Sequence, residues 1–197
     1  ALCEPYTIGA QANWRGDVEP GDWALVHGGG PIGLIVADVA KSRGAKAIVS
    51  EPNERRLAMA AEFGADYMVN PLKQDLGKVV DELTGGEGVN VIFEAAGVPA
   101  LLKDSIALLS PAGRLVAMTY GPEPVPVDFR AVNAKELTIL GTRHQYQKFP
   151  EVVTLLPDHL RQVDRLTTHI FPAEEFERAF AVLADKDSGA GKVVLTF

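Results

Sequence analysis

The chain has 197 residues, of which 47% are hydrophobic and 23% are charged, a composition typical of one globular domain or of one domain with a small attached piece. The net charge is −7 and the basic residues are scattered, which argues against a nucleic-acid-binding protein. No apolar run approaches the roughly 18 residues of a membrane-spanning helix, and the N-terminus lacks the layout of a signal peptide.

The first three residues contain two informative features, the start of the chain and its one cysteine. The sequence begins at Ala1 without a methionine, which we interpret as a cut inside a longer protein. The single cysteine, Cys3, excludes an internal disulfide and a cysteine-rich zinc site. A reducing cytoplasm is the location that this cysteine content favours.

Six Val-rich or Ile-rich stretches predict strands, and segments of helical length separate the first few of them. After Gly30, apolar residues recur at helical spacing on one face of a predicted helix, at Ile32, Ile35, Val36, Val39 and Ala40. Asn53 suits the N-cap of a second helix, and Pro99 suits the first turn of a third. This alternation predicts an α/β fold with a doubly wound, parallel six-stranded sheet, its strands at residues 23–27, 46–50, 66–69, 89–93, 114–118 and 136–140.

The pattern changes after Pro122, where the prolines of residues 121–126 predict an extended connection. Beyond it we predict a helical segment interrupted at Pro157, then a strand, a helix and a last strand, at residues 149–162, 166–170, 173–184 and 192–196. Four phenylalanines of this part fall at spacings typical of core positions, namely Phe149, Phe171, Phe176 and Phe180. We therefore predict that residues 146–197 form a C-terminal tail of helices and strands, which is either the end of the same domain or a fragment of a second one.

The strongest local motif is G-x-G-x-x-G, formed by Gly28, Gly30 and Gly33. Alone the motif is weak, but here an apolar strand leads into it and an amphipathic helix follows it, as in dinucleotide-binding folds. The first glycine then permits a tight turn, the second lets the backbone approach a pyrophosphate, and the third lets the helix pack closely on the strand. The helix N-terminus supplies free N–H groups to the phosphates.

Glu51 follows the second predicted strand, 18 residues beyond the last glycine of the motif. An acid at this place accepts hydrogen bonds from the adenosine ribose and repels a 2′-phosphate, so NAD is favoured over NADP. The alternative is a solvated glutamate in a loop. Arg55 and Arg56 lie nearby and are able to pair with a 2′-phosphate, but Glu51 holds the selecting position.

Taken together, several motifs of the chain resemble those of the zinc-dependent medium-chain dehydrogenase/reductase family, and above all its sorbitol, threonine and sugar-acid dehydrogenases. They are Glu4-Pro5, Val18-Glu19-Pro20-Gly21-Asp22, the glycine motif, Phe63-Gly64-Ala65-Asp66, Phe93-Glu94-Ala95-Ala96-Gly97 and Gly191-Lys192-Val193-Val194. The resemblance implies that residues 1–18 connect to a missing N-terminal catalytic lobe. It further implies that residues 19–145 are an NAD-binding Rossmann domain, and that the tail is a small piece of the catalytic domain.

The resemblance also assigns residues to the cofactor. Pro31 and Ile32 contact it beside the glycine turn, and Arg56 lies over the adenosine end. Met118, Thr119 and Tyr120 line the nicotinamide ribose pocket, although ordinary packing at the end of a strand remains an alternative for them. Thr142, Arg143 and His144 close over the nicotinamide, although His144 is equally consistent with a loop histidine.

Glu4 is the acid that the resemblance places beside the catalytic zinc of the intact protein. A zinc site needs three converging protein ligands, and the histidines of this chain lack metal-ligand spacing. We therefore expect no catalytic residue and no zinc site within the chain itself, and a frayed terminal carboxylate at Glu4.

The function that the resemblance implies is NAD-dependent oxidation of a secondary alcohol, a polyol or a sugar acid of the L-gulonate or L-galactonate type, by hydride transfer. This chain is then the cofactor-binding part, with little turnover of its own. Two alternatives stay open, a non-catalytic NAD-binding or sensing module and a zinc-independent, NADP-using relative of the quinone reductases. A homodimer or homotetramer is expected through the apolar edge at residues 136–140.

Overall fold

The computed structural model describes residues 2–119, 124–185 and 188–197. Its strands are β1 Trp23–His27, β2 Lys46–Ser50, β3 Tyr67–Val69, β4 Val89–Glu94, β5 Leu109–Ala117, β6 Thr138–Gly141, β7 Thr167–Pro172 and β8 Lys192–Thr196. Its α-helices are α1 Cys3–Arg15, α2 Pro31–Ser42, α3 Glu54–Glu62, α4 Leu76–Thr84, α5 Pro99–Leu108, α6 Phe129–Ala134, α7 Phe149–Leu155, α8 Leu160–Leu166 and α9 Phe176–Ala184. Two 3-10 turns lie at Leu156–His159 and Ala173–Glu175.

Strands β1 to β6 form one parallel sheet in the order β3-β2-β1-β4-β5-β6. This confirms the predicted doubly wound, six-stranded Rossmann-type sheet. The chain runs outward from β1 to β3 and then returns to the other side of β1, so the strand order reverses between β1 and β4. Ligands of such sheets bind at the carboxyl ends of the strands beside this reversal. There His27 of β1 lies opposite both Ser50 of β2 and Glu94 of β4.

Both faces of the large sheet are covered, which explains why its strands read as continuous apolar runs. Val26 belongs to the cluster on one face and Leu25 to the cluster on the other. The prediction for the sixth strand is wrong at its first residues. Glu136 has a φ of 54°, outside the extended region, so β6 begins only at Thr138.

Helix α1 was not predicted by the sequence analysis. It packs on α2 so closely that a Cβ added to Gly9 would lie 2.6 Å from Cγ2 of Ile35. Asn13 donates from Nδ2 to the carbonyl oxygens of Gly9 and Val36, at 2.9 and 3.1 Å. Because α1 covers the side of α2 that faces away from the sheet, α2 is buried around most of its circumference.

A buried polar cluster fastens α1, α2 and the tail together. The Tyr6 hydroxyl donates to Oδ2 of Asp38 at 2.8 Å, and Nδ1 of His159 lies 2.7 Å from the same oxygen. Burial raises the pKa of Asp38 above its ordinary value, although its hydrogen bonds to Tyr6 and His159 act in the opposite direction. Burial likewise raises the pKa of Tyr6, and the charge of Asp38 adds to the effect.

The tail has the predicted order of elements, and its helical run is broken at the 3-10 turn that contains Pro157. Strands β7 and β8 pair in parallel as a separate two-stranded sheet. The expectation of core phenylalanines is wrong for three of the four, since Phe149, Phe176 and Phe180 are 43%, 49% and 65% exposed. A helix that packs on one face of a small sheet buries only one stripe, and in α9 Ala179 lies on it. Within the described ranges, no helix is long and apolar enough to cross a membrane.

Candidate cofactor site

The glycine motif forms a tight turn between β1 and α2. Gly28 has a φ of 100° and donates from its backbone N to the backbone carbonyl oxygen of Ser50 at 2.9 Å. A Cβ added to Gly33 would lie 1.9 Å from the carbonyl oxygen of Gly28, so the first turn of α2 sits directly on the loop. Nothing lies within 4 Å of a Cβ added to Gly30, which leaves its backbone open to a ligand. Each glycine therefore has the geometry that dinucleotide binding requires.

The N-terminus of α2 is prepared for an anion. Gly30 is its N-cap in an extended conformation, Pro31 occupies the first turn, and no acidic residue lies in that turn. The unpaired N–H groups and the helix dipole then present partial positive charge to the open side of the turn. Ile32 is partly buried, and its side chain packs against the core beneath.

The side chain of Glu51 points at the glycine turn and is only 5% exposed. Its Oε2 accepts a hydrogen bond from the backbone N of Gly29 at 2.7 Å, and its Oε1 accepts one from the backbone N of Asn53 at 2.9 Å. Asn53 in turn caps α3 as predicted, by accepting from the backbone N of Arg55 and of Arg56. The alternative of a solvated loop glutamate is therefore wrong, because the carboxylate braces the turn against the start of α3.

A cavity of about 570 Å³ opens between the glycine turn, the start of α3 and a loop of the tail. Of the predicted site residues it brings together Gly30, Pro31 and Arg56. The sequence analysis missed its third wall, formed by Leu183, Asp185 and residues 188–191. Apart from Gly191, which begins the motif Gly191-Lys192-Val193-Val194, no motif marks these residues, because only the folding of the tail brings them to the cavity.

Of the residues predicted on the nicotinamide side, those that the structure describes also follow strand ends but do not line this cavity. Met118 and Thr119 come directly after β5, and Tyr120 lies outside the described residues. Thr142 donates from its backbone N to the oxygen of Ala117 at 3.1 Å. Arg143 and His144 are exposed side chains that contact each other, with 3.2 Å between Nε and Nε2. This last group follows β6, which is three strands from β1.

Two buried polar residues of the site were missed as functional candidates. Glu94 ends β4 with 0% exposure, and it accepts hydrogen bonds from the backbone N of Ala96 and of Gly97 and from the Thr119 hydroxyl. A signal for it existed, since it is an acid directly after an apolar strand, as Glu51 is. The second residue, His27, lies 3.1 Å from the hydroxyl of Ser105 through its Nε2. Burial lowers the pKa of His27 to about 4, so the ring is neutral at neutral pH.

A model of the zinc-binding dehydrogenase family matches residues 31–158, more than half of the chain. The chain belongs to the zinc-binding dehydrogenase family. This confirms the resemblance found in the sequence motifs. The match covers the glycine turn from Pro31 onward and every strand of the large sheet except β1.

Three curated relatives are similar to this chain over most of its length. The starvation-sensing protein RspB of Escherichia coli K12 is 34% identical, over 100% of this chain and 58% of its own length. L-Threonine 3-dehydrogenase of Pyrococcus furiosus is 36% identical over 88% of this chain and 51% of its own length. 2-Dehydro-3-deoxy-L-galactonate 5-dehydrogenase of Pseudoalteromonas atlantica is 33% identical over 98% of this chain and 57% of its own length.

A crystal structure of rspB from Escherichia coli CFT073, described as an alcohol dehydrogenase complexed with the cofactor NADH, has a TM-score of 0.92 to this chain. The two are 34% identical, and the match covers 100% of this chain and 58% of rspB. The chain thus spans about half the length of the curated relatives that it matches.

The family name implies zinc, an ion that is held by several converging His, Cys, Asp or Glu side chains. In the part of the chain that the structure describes, no three His, Cys, Asp or Glu side chains are grouped so as to hold a metal ion. Glu4 is an exposed residue in the first turn of α1. A catalytic zinc needs three protein ligands, so the described residues do not fit the ion by themselves.

Proposed function

We propose that this chain is the NAD-binding part of a dehydrogenase that oxidises a secondary alcohol by hydride transfer to NAD. The observation that carries the proposal is the buried Glu51 carboxylate, 2.7 Å from the backbone N of Gly29 in the glycine turn. It puts an acid beside the open N-terminus of α2, and one dinucleotide requires both an acid for its ribose and free N–H groups for its diphosphate.

In this proposal the diphosphate lies on the turn of Gly28, Gly30 and Gly33, and the adenosine ribose hydroxyls donate to Glu51. Arg56, exposed at the mouth of the cavity, lies over the adenosine end. Met118 and Thr119 line the nicotinamide ribose pocket, and residues 142–144 close over the nicotinamide. The carboxylate repels a 2′-phosphate, so NAD is preferred to NADP. NADH in the rspB structure supports this choice.

For the whole protein we propose a polyol or a sugar acid of the L-gulonate or L-galactonate type as the substrate. The galactonate-type relative supports a sugar acid, and the threonine dehydrogenase shares the chemistry of a secondary alcohol. Zinc held by three protein ligands would polarise the alcohol oxygen of such substrates, and Glu4 is the residue of this chain that would stand beside it. The described residues themselves bind and orient the nicotinamide cofactor, which carries the redox chemistry.

Calorimetric titration with NADH tests the proposal, with NADPH as the matched control ligand. We expect saturable binding of NADH and weaker binding of NADPH, because the two cofactors differ only in the phosphate that Glu51 faces. Absence of NADH binding at millimolar cofactor would defeat the proposal. A preference for NADPH would instead favour the relative of the quinone reductases.

A second candidate, a non-catalytic NAD-binding sensor, is favoured by the name of the starvation-sensing relative. Both candidates predict NADH binding, so turnover separates them. We expect alcohol-dependent NADH formation from the full-length gene product supplied with zinc. Its absence from a folded, NADH-binding protein would favour the sensor.

We also propose that two copies pair through β6, which lies at the end of the sheet with Ile139 40% exposed. Unpaired strand edges with apolar side chains are commonly covered in native proteins. We expect light scattering to give a dimer or tetramer, and the Ile139→Lys variant to shift it toward monomer. A wild-type monomer at high concentration would contradict the proposal.

A further inference from the structure

A buried carboxylate lies beneath the strand ends that the proposed function assigns to the cofactor. Glu94 ends β4, next to β1 in the sheet, and it is 0% exposed. Its Oε1 accepts hydrogen bonds from the backbone N of Ala96, Gly97 and Val98, at 3.0, 2.8 and 3.3 Å. Its Oε2 accepts a hydrogen bond from the Thr119 hydroxyl. Four donors offset the cost of removing this charge from water.

The carboxylate connects segments that are distant in the sequence. A Cβ added to Gly28 would lie 3.1 Å from the backbone N and Cα of Ala96, so the glycine turn and the turn after β4 are in backbone contact. The backbone N of Ala95 donates to the oxygen of His27 at 3.0 Å, which fastens the same two turns. Because the two turns are in contact, a displacement of residues 96–98 also displaces the glycine turn. The hydroxyl of Thr119 links the Glu94 carboxylate to the end of β5.

Helix capping alone does not account for this arrangement. A capping side chain accepts from N–H groups inside the first helical turn, beyond the N-cap. The N-cap of α5 is Val98, whereas Glu94 accepts from Val98 itself and from the two residues before it. The other carboxylate oxygen accepts a hydrogen bond from Thr119, which follows a different strand, β5. The contacts shape the loops at the carboxyl edge of the sheet rather than the helix.

We infer that Glu94 is a positioning residue for the dinucleotide, which holds the turn after β4 and the Thr119 side chain in place without contacting the ligand. The inference rests on the proposed function, because it takes the cofactor to lie along this edge. It assigns a role to a residue that does not line the cavity.

The variants Glu94→Gln and Thr119→Val test the inference through the dissociation constant for NADH, measured by calorimetry well below each melting temperature. Gln keeps the shape of Glu but removes its charge, and Val removes the hydroxyl but leaves the bonds to residues 96–98. We expect each variant to bind NADH about tenfold more weakly than the wild type, equivalent to about 1.4 kcal/mol of binding free energy. The double variant should lose little more than either single one, because both break the same linkage.

Asp75→Ala is the matched control, and Thr119→Ser is the comparison for Thr119→Val. Ser retains the hydroxyl that bonds to Glu94, so the difference in NADH affinity between the Ser and Val variants measures the loss of the hydroxyl. Asp75 also accepts from backbone N–H groups at a helix start, those of Gly77 and Lys78, but it caps α4 and does not line the cavity. Its Ala variant should lower the melting temperature by removing the cap, and it should leave the NADH dissociation constant unchanged.

The outcomes distinguish a failure of the proposed function from a failure of the inference about Glu94. A wild-type chain that fails to bind NADH overturns the proposed function and this inference together. A wild type that binds, with Glu94→Gln and Thr119→Val binding equally well, overturns the inference alone and leaves Glu94 a structural brace. Should Glu94→Gln not fold, Glu94→Asp replaces it. Its carboxylate is one methylene shorter and cannot keep all four hydrogen bonds, so NADH binding equal to that of the wild type would overturn the inference.

Discussion

Replacing Glu51 by Gln changes both the affinity for the cofactor and the choice between NAD and NADP. The carboxylate accepts from two backbone N–H groups, at 2.7 and 2.9 Å, while 5% exposed. In the amide of the variant, an NH₂ donor replaces one of the two oxygens, so it faces an N–H donor and leaves that donor without an acceptor. The loss of one charge-assisted bond at a buried site costs about 1.5 to 3 kcal/mol. We therefore expect NADH to bind roughly ten to a hundred times more weakly.

The same substitution removes the negative charge that opposes a 2′-phosphate, while Arg55 and Arg56 remain at the cavity. The ratio of the NADPH to the NADH dissociation constant should therefore fall, and this ratio separates selection from a general loss of stability. Calorimetric titrations with both cofactors measure it, and Glu82→Gln, an exposed glutamate on α4, is the control. If Glu51→Gln lowers the melting temperature but leaves both constants unchanged, Glu51 is only a brace and the reasoning fails.

Two further predictions concern the turn and the buried polar cluster. Gly33→Ala should destabilise the fold by about 3 kcal/mol and abolish NADH binding, because its Cβ overlaps the carbonyl oxygen of Gly28. Gly30→Ala should leave the melting temperature nearly unchanged but weaken NADH binding, since its Cβ lies in the open space that the diphosphate is proposed to occupy. Equal effects of Gly33→Ala and Gly30→Ala on stability and on binding would contradict the different roles given to the two glycines. Because burial raises the pKa of Asp38 above 3.8, its contribution to stability is present below that pH and is lost as the pH rises through the folded pKa. The melting temperature of Asp38→Asn minus that of the wild type should therefore increase as the pH rises from about 3.8 through the folded pKa of Asp38. A flat or falling difference over this range would refute this sign.

Local signals in the sequence were sufficient for the large parallel sheet and for the turn between β1 and α2. The apolar strands were predicted because both faces of a parallel sheet are buried, although β6 begins at Thr138 and not at residue 136, and β5 begins at Leu109 and not at residue 114. Asn53 and Pro99 mark their helices through backbone chemistry that needs no distant partner. The glycine motif is equally local, since Gly28 and Gly33 meet within one turn. Glu51 was found by its place after the second strand, because parallel strands bring their carboxyl ends to one edge.

Only the tertiary structure decided what lies on top of these elements. Helix α1 turned the exposed side of α2 into a buried one, and α9 left Phe176 and Phe180 exposed by packing through a single stripe. The third wall of the cavity comes from the tail, and Glu94 bonds to Thr119, 25 residues away, just beyond the end of β5. Such contacts join residues whose separation along the chain carries no periodic signal. They form because elements that are each stable only when packed must cover one another, and the pairing that results is a property of the whole fold.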